Sequence, residues 1–345
     1  MVLGLILLTK IKMNNQNKNI ISVIGNTPLI KLQGPSELTS CNIYGKAEFL
    51  NPGGSIKDRA ALALIKDAEE KKKISKKGII VEGTAGNTGI GLTLIGNAKG
   101  YKTIIVMPET QTKEKIETLK SMGAELKLVP AKPYKDPDNY VKLSSRIADE
   151  LSKKTNAGVL WANQFDNIAN FLGHYQTTGQ EIWNQTEGTV DGFVCSSGTG
   201  GTIAGVSKAL KEKNINIKIV LADPKGSALY NFIKTKKLIL EGSSITEGIG
   251  SSRVTANFEN AIIDDSYSIN DTEALNILFD LMKKEGLFLG TSSGINIAGA
   301  IRLAKDLGPG KTIVTILCDK ADRYQSKIFN KKFLKEKNLP FPSWL

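Results

Sequence analysis

The sequence predicts a two-domain α/β protein, each domain a mostly parallel twisted sheet flanked by helices. Three observations carry this. The chain has 345 residues, enough for two domains of ordinary size. Hydrophobic residues make up 41% and charged residues 23%, a soluble globular balance with ample core. Short apolar runs alternate with helical spacings in two separate series.

The first series starts at Ile79 to Glu82, a short apolar strand. Thr88 to Lys99 has helical spacing, with Gly100 as its stop. Thr103 to Met107 is a strand closed by Pro108, Thr112 to Met122 a helix stopped by Gly123, and Glu125 to Val129 a strand before Pro130. This βαβαβ order implies a parallel sheet. Ala131 to Asp138 is a loop, and the middle of the chain is helical. In the second series, Val190 to Cys195, Ile217 to Ala222 and Thr312 to Cys318 are strands. Thr202 to Lys213, Asp271 to Glu285 and Ile295 to Leu307 are helices.

Composition narrows the chemistry. The single histidine is His174, which disfavours His-rich zinc sites and leaves at most one imidazole for a nucleophile pair. Cys41, Cys195 and Cys318 lie far apart without a CxxC. No metal site and no disulfide framework is expected, and a reducing, cytoplasmic compartment fits. Net charge is +12, but only five of the 46 basic residues are arginine, and the lysines are spread along the chain. That pattern speaks against a nucleic-acid interface and for solvated helix faces, with a field that draws in small anions. The apolar run Val2 to Leu8 is too short for a membrane span and lacks signal-peptide flanks. Met13 is a candidate start, which makes 1–12 a disordered or spurious extension.

Glycine-rich loops follow the strands. Ser196-Ser-Gly-Thr-Gly-Gly-Thr202 leads from a strand into a helix. Exposed N–H groups, the helix dipole and two threonine hydroxyls make it a phosphate cradle. It is not a dinucleotide fingerprint, because Ile203 stands where the last glycine belongs. Nor is Gly310-Lys-Thr a Walker loop, because Lys305 replaces its first glycine. A cofactor with a single phosphate fits better. Glu82-Gly-Thr-Ala-Gly-Asn-Thr-Gly89 and Gly290-Thr-Ser-Ser-Gly294 are similar loops before helices; the first offers donors to an anion such as a substrate carboxylate. Lys57, in Asn51-Pro-Gly-Gly-Ser-Ile-Lys-Asp-Arg59, opens the helix from Asp58 to Lys71 amid glycines and small residues. A lysine so placed can hold a phosphate-bearing aldehyde as a Schiff base.

These segments, with Ile24-Gly-Asn-Thr-Pro-Leu29, Gln164-Phe-Asp-Asn167, Thr177-Thr-Gly-Gln-Glu-Ile-Trp183 and Glu247-Gly-Ile-Gly250, resemble the cysteine synthase (O-acetylserine sulfhydrylase) family. These are fold-type II pyridoxal-phosphate enzymes, and the likeness runs from about Ile20 to Phe329. It implies a smaller mobile domain, 51–167 with 13–29, carrying the lysine and the substrate loop. A larger domain, 168–345 with 30–50, would carry the phosphate loop. Lys57 would bind pyridoxal 5'-phosphate and then remove the substrate α-proton. Gly198, Thr199, Gly200, Gly201 and Thr202 would hold the phosphate, Asn87 the ring hydroxyl, and Ser292 would face the pyridine nitrogen. Thr84, Gly86, Asn87, Thr88 and Gln164 would bind the substrate carboxylate.

The implied reaction is β-replacement, O-acetyl-L-serine plus hydrogen sulfide giving L-cysteine and acetate through an aminoacrylate. The neutral Ser292 hydroxyl weakens the electron sink and favours prompt loss of the β-substituent over transamination. The alternatives are a related β-replacement, as in cystathionine β-synthase or cyanoalanine synthase, and a serine/threonine dehydratase. A silent regulatory homologue and a basic nucleic-acid-binding protein are the non-enzyme alternatives. The resemblance also implies a homodimer, the usual state of family members, some of which bind the C-terminal tail of a serine acetyltransferase. His174, in a helix with no visible partner set, reads as structural. The family's substrate loop usually has serine where this chain has Ala85, so one hydroxyl near the substrate is lost; the choice of substrate and the rate are what this touches.

Overall fold

The computed structural model describes residues 19–345; the expected extension at 1–12 lies outside them. The strands are β1 (Leu29–Lys31), β2 (Asn42–Ala47), β3 (Ile79–Gly83), β4 (Lys102–Pro108) and β5 (Glu125–Val129). β6 (Val159–Trp161), β7 (Gly192–Cys195), β8 (Lys218–Pro224), β9 (Asp265–Ile269) and β10 (Thr312–Leu317) complete the set. They form a six-stranded sheet in the order β1-β2-β10-β7-β8-β9 and a four-stranded sheet in the order β5-β4-β3-β6. Every pairing is parallel except β1 with β2. The fold is therefore α/β with helices flanking parallel sheets, as the alternating series predicts.

Both sheets are covered on two faces, so their central strands are apolar runs without alternation. Ile104, Ile105, Val106 and Met107 on β4 and Ile219, Val220 and Leu221 on β8 are all buried. Val81 lies in register between Ile104 and Trp161. The helix Lys57–Glu70 buries Ala60, Ala61, Leu64, Ile65 and Ala68, the three-and-four spacing of an inward stripe. The helix Asn87–Lys99 packs on it and ends at Gly100 in the left-handed region, φ 77°. The helix Thr291–Leu307 is buried along most of its length against β7, β8 and β10. It starts four residues before the sequence pattern suggests, because its first turn is built of Thr291, Ser292, Ser293 and Gly294 rather than apolar residues.

Four strands are absent from the sequence reading. β1 and β6 have three residues each, too few for a pattern. β9 reads Asp-Ser-Tyr-Ser-Ile and is mostly polar. β2, between β1 and β10, carries Gly45 and Lys46 in its interior.

Lys46 is there for a reason. It is fully buried and its ammonium lies 2.6 Å from Glu181 on the helix Thr178–Gln185. Arg59, two residues past Lys57, reaches the same carboxylate with both terminal nitrogens, each at 2.7 Å, and also grips Glu48 through Nε at 2.7 Å and Nη2 at 2.9 Å. Glu48 accepts further bonds from Thr27 at 2.6 Å and Asn51 at 2.7 Å. The four charges balance and most of their hydrogen-bonding capacity is used, the condition under which buried ions are tolerated. Burial pushes the Lys46 ammonium down despite Glu181. Arg59 holds Glu181 near 2 against the opposing effect of burial. Removing one charge leaves its partner stranded. Glu48→Gln should cost about 3 kcal/mol in urea unfolding; a loss below about 1 kcal/mol would assign the cluster no more than surface-pair strength.

Candidate active site

The site gathers at the C-terminal ends of the parallel strands, where ligands of open α/β sheets bind. β3 runs into the loop before the helix Asn87–Lys99, β7 into the loop before the helix Gly201–Lys213, and β10 into Cys318 and Asp319. A cavity of about 340 Å³ lies between the two sheets. Lys57, Thr84, Gly86, Asn87, Thr88, Gln164, Gly198, Thr199 and Ser292 all line it. A smaller pocket continues from it, lined by Lys57, Gly198, Thr199, Gly200 and Thr202. Sequence positions spread over more than two hundred residues thus meet around one lysine. Gly201 lines neither cavity; a Cβ there would strike Asn170 Oδ1 at 2.3 Å, so its hydrogen side chain lets the helix close on Asn170.

Lys57 is the first residue of its helix, half-buried, with its backbone N–H donated to Ser55 Oγ at 3.2 Å. The helix Gly201–Lys213 begins after Gly200 with no cap from that residue's side chain; its Gly201 N–H is donated to Thr199 Oγ1 at 3.3 Å, and the next N–H, of Thr202, is open to an anion. Gly200 has φ 87°, and a Cβ there would lie 2.5 Å from the Phe258 nitrogen, so only glycine fits. Thr199 Oγ1 accepts from Asn170 Nδ2 at 3.0 Å and Thr199 O from Thr255 Oγ1 at 2.7 Å, which locks the loop. Ser197, beside them in the smaller pocket, has a buried hydroxyl with no partner among the described residues.

The second loop is equally constrained. Gly86 has φ 133° and caps its helix without a side-chain bond. Thr88 Oγ1 donates to Gln164 Oε1 at 2.5 Å, and Gln164 Nε2 reaches Gly83 O at 3.3 Å. Asn87 donates from Nδ2 to Asp319 Oδ2 at 2.6 Å and accepts from Arg323 on Oδ1 at 2.6 Å. One Nδ2 hydrogen of Asn87 is left for a ligand.

Several lining residues escape the sequence reading. Cys318 enters it only as the end of a strand, and the unpartnered Ser197 only as part of the loop 196–202 with no role of its own; both sit at strand ends, a position that itself points to a site in parallel sheets. Lys115, Tyr134, Tyr140, Arg253 and Tyr324 line the cavity from elements far apart in the chain, and no local motif marks them.

Comparison with known proteins gives the family. Residues 20–319 match the family described as pyridoxal-phosphate dependent enzyme. The chain is 48% identical over 327 residues to cysteine synthase 1 of Neurospora crassa, covering 93% of this chain and 86% of that protein. It is 44% identical over 334 residues to cysteine synthase of Dictyostelium discoideum, with the same coverage. Among solved structures, an O-acetylserine dependent cystathionine beta-synthase from Helicobacter pylori is similar, with TM-score 0.81 and 34% identity, covering 90% of this chain and 98% of that one.

Burial sets the charge states around the cavity. It pushes Glu82, just before the second loop, up to about 8, and Asp58, beside Lys57, up to about 7. Burial likewise pushes the Cys318 thiol up to about 11. His174 lies behind the phosphate-type loop, its Nε2 3.3 Å from Thr202 Oγ1 and its Nδ1 2.9 Å from Thr178 Oγ1. The partners invisible in sequence are therefore two threonine hydroxyls. Burial, helped by Arg59 and Lys57, drives the imidazole down to about 3, so it is neutral at physiological pH. The unfolded chain protonates His174 near 6.5 and the folded one only near 3. Its contribution to stability is thus present above about 6.5 and falls as pH drops toward 3. His174→Gln should flatten this acid limb: followed by urea midpoints, the variant loses less stability than wild type between about pH 6.5 and about pH 4. Parallel limbs would contradict a buried neutral histidine.

Proposed function

The chain belongs to the pyridoxal-phosphate dependent enzyme family, and we propose that within it this protein is a cysteine synthase. The reaction is replacement of the acetoxy group of O-acetyl-L-serine by sulfide, giving L-cysteine and acetate. One observation carries the reading: Lys57 stands between two uncapped, glycine-opened helix starts in one cavity. One start suits a cofactor phosphate and the other a substrate carboxylate.

The residues fit the cofactor. The unpartnered Ser197 hydroxyl, the open N–H groups of 198–200 and of Thr202, and the Thr199 and Thr202 hydroxyls match a phosphate. Lys57 would hold the aldehyde carbon, Asn87 the ring hydroxyl, and Ser292 the ring nitrogen. When bound, pyridoxal phosphate supplies the sink for the electron pair left at the substrate α-carbon.

The protein's own groups do the rest. Lys57 Nζ would be the base that accepts the substrate α-proton and the acid that returns a proton to the α-carbon once sulfide has replaced the acetoxy group. Thr84, Gly86, Asn87, Thr88 and Gln164 bind the substrate carboxylate and turn the Cα–H bond toward Lys57. Ser292 is neutral and cannot protonate a ring nitrogen strongly. The smaller lobe, built on the four-stranded sheet, closes over the substrate and excludes water. The lysine-rich surface, at net charge +12, draws in hydrosulfide and amino-acid carboxylates.

A second reading is favoured by the reach of the cavity past the substrate loop to Tyr134, Tyr140 and Arg253. There the incoming nucleophile is a thiol amino acid instead of sulfide. The purified protein should show the visible band of lysine-bound pyridoxal phosphate, and Lys57→Ala should abolish it. O-acetylserine should shift that band, and sulfide should restore it with release of cysteine. Restoration by a thiol amino acid but not by sulfide would select the second reading; a protein that stays colourless with added cofactor would overturn both.

A further inference from the structure

This inference deepens the proposed function and rests on reading 84–88 as the loop that binds the substrate carboxylate. Glu247 lies between β8 and β9, on the large-sheet side of the cavity. Its carboxylate is 7% exposed and receives Lys115 Nζ on Oε2 at 2.6 Å and Lys327 Nζ on Oε1. Gln111, with its amide oriented so that the nitrogen and not the oxygen faces these two acceptors, donates to Glu247 Oε2 at 3.1 Å and to Ala85 O at 3.2 Å. A single amide thus links the carboxylate to the main chain of the loop.

Lys115, on the helix Lys113–Ser121, meets the loop directly at Gly86 and is linked to Asn87 through Tyr324 and Asp319. Its stem fills the space beside Gly86, where a Cβ would lie 2.7 Å from Lys115 Cδ. Its ammonium sits 4.2 Å from the centre of the Tyr324 ring. The Tyr324 hydroxyl donates to Asp319 Oδ2 at 2.6 Å, the oxygen that also holds Asn87. The loop is therefore gripped at Ala85, Gly86 and Asn87 in succession. A buried ammonium–carboxylate pair contributes little net stability, because desolvation offsets its attraction. Here the pair orders a loop. Position 85 has no side-chain hydroxyl, and its carbonyl carries the tether instead.

We propose that Glu247 is a positioning residue that holds 84–88 in its carboxylate-receiving shape through Gln111 and Lys115. It sets affinity for the amino-acid substrate, and leaves cofactor retention and the KM for sulfide alone.

The test uses the holoenzyme with Glu247→Gln and Gln111→Leu. Spectral titration with O-acetylserine should give an apparent Kd raised about tenfold in each, the scale of one lost charge-assisted contact. The cofactor band and sulfide KM should match wild type, and amide hydrogen exchange at 84–88 should speed up. Gln111→Leu keeps the Lys115–Glu247 pair, so it decides the matter alone if Glu247→Gln does not fold. Unchanged affinity and exchange would overturn the proposal, as would loss of cofactor or stability without loss of affinity. Thr88→Ala separates the two levels. If it binds substrate as wild type does, the loop reading fails; if it weakens binding while the other two do not, only the role of Glu247 fails.

Discussion

Arg59 places its guanidinium between Glu48, just past the end of β2, and Glu181, on the helix Thr178–Gln185. That cross-link fixes the first turn of the helix Lys57–Glu70. Two residues apart on a helix point to roughly opposite sides, so with Arg59 held in the large-sheet lobe, Lys57 must face the cavity. The helix itself packs on Asn87–Lys99 of the small-sheet lobe. One forked ionic contact thus determines where the Lys57 amine sits relative to loops from both sheets. Arginine suits this place because it can bind two carboxylates at once and stays charged when buried.

The rest of the site follows from parallel topology. Every parallel strand delivers its C-terminal end to the same edge of its sheet, and helices start there with open N–H groups. Glycines at 86 and 200 let the backbone take conformations and approaches that a side chain would block. In the proposed function, anion recognition falls to main chain and hydroxyls, and acid–base work to a lysine. The single imidazole sits behind the loop as a neutral hydrogen-bonding partner. A protein of this class needs no histidine pair, which is why its near absence from the composition is no handicap.

What could be read from sequence was what is local. The glycine-rich loops lie between a strand and a helix in the chain itself, so their anion-binding character is visible without a fold. The helix Asp271–Glu285 and the strand Glu125–Val129 lie where their patterns put them. What could not be read depends on contacts across the chain. β2 carries Lys46 into the core because Glu181, far along the sequence, neutralises it. Lys115 reads as one of 41 lysines until the fold buries it against Glu247. Asp319 follows an ordinary apolar strand, and only the tertiary structure brings it to Asn87. Buried charge is where local pattern fails, because its cost and its compensation come from different parts of the chain.

The central claim is that one lysine among 41 is singled out by its surroundings to carry the cofactor. Borohydride reduction of the holoenzyme fixes pyridoxal phosphate on whichever lysine holds it, and peptide mass mapping then identifies that residue. The account predicts one phosphopyridoxyl group per chain, on Lys57. Labelling on another lysine, or spread over several at comparable levels, would contradict it.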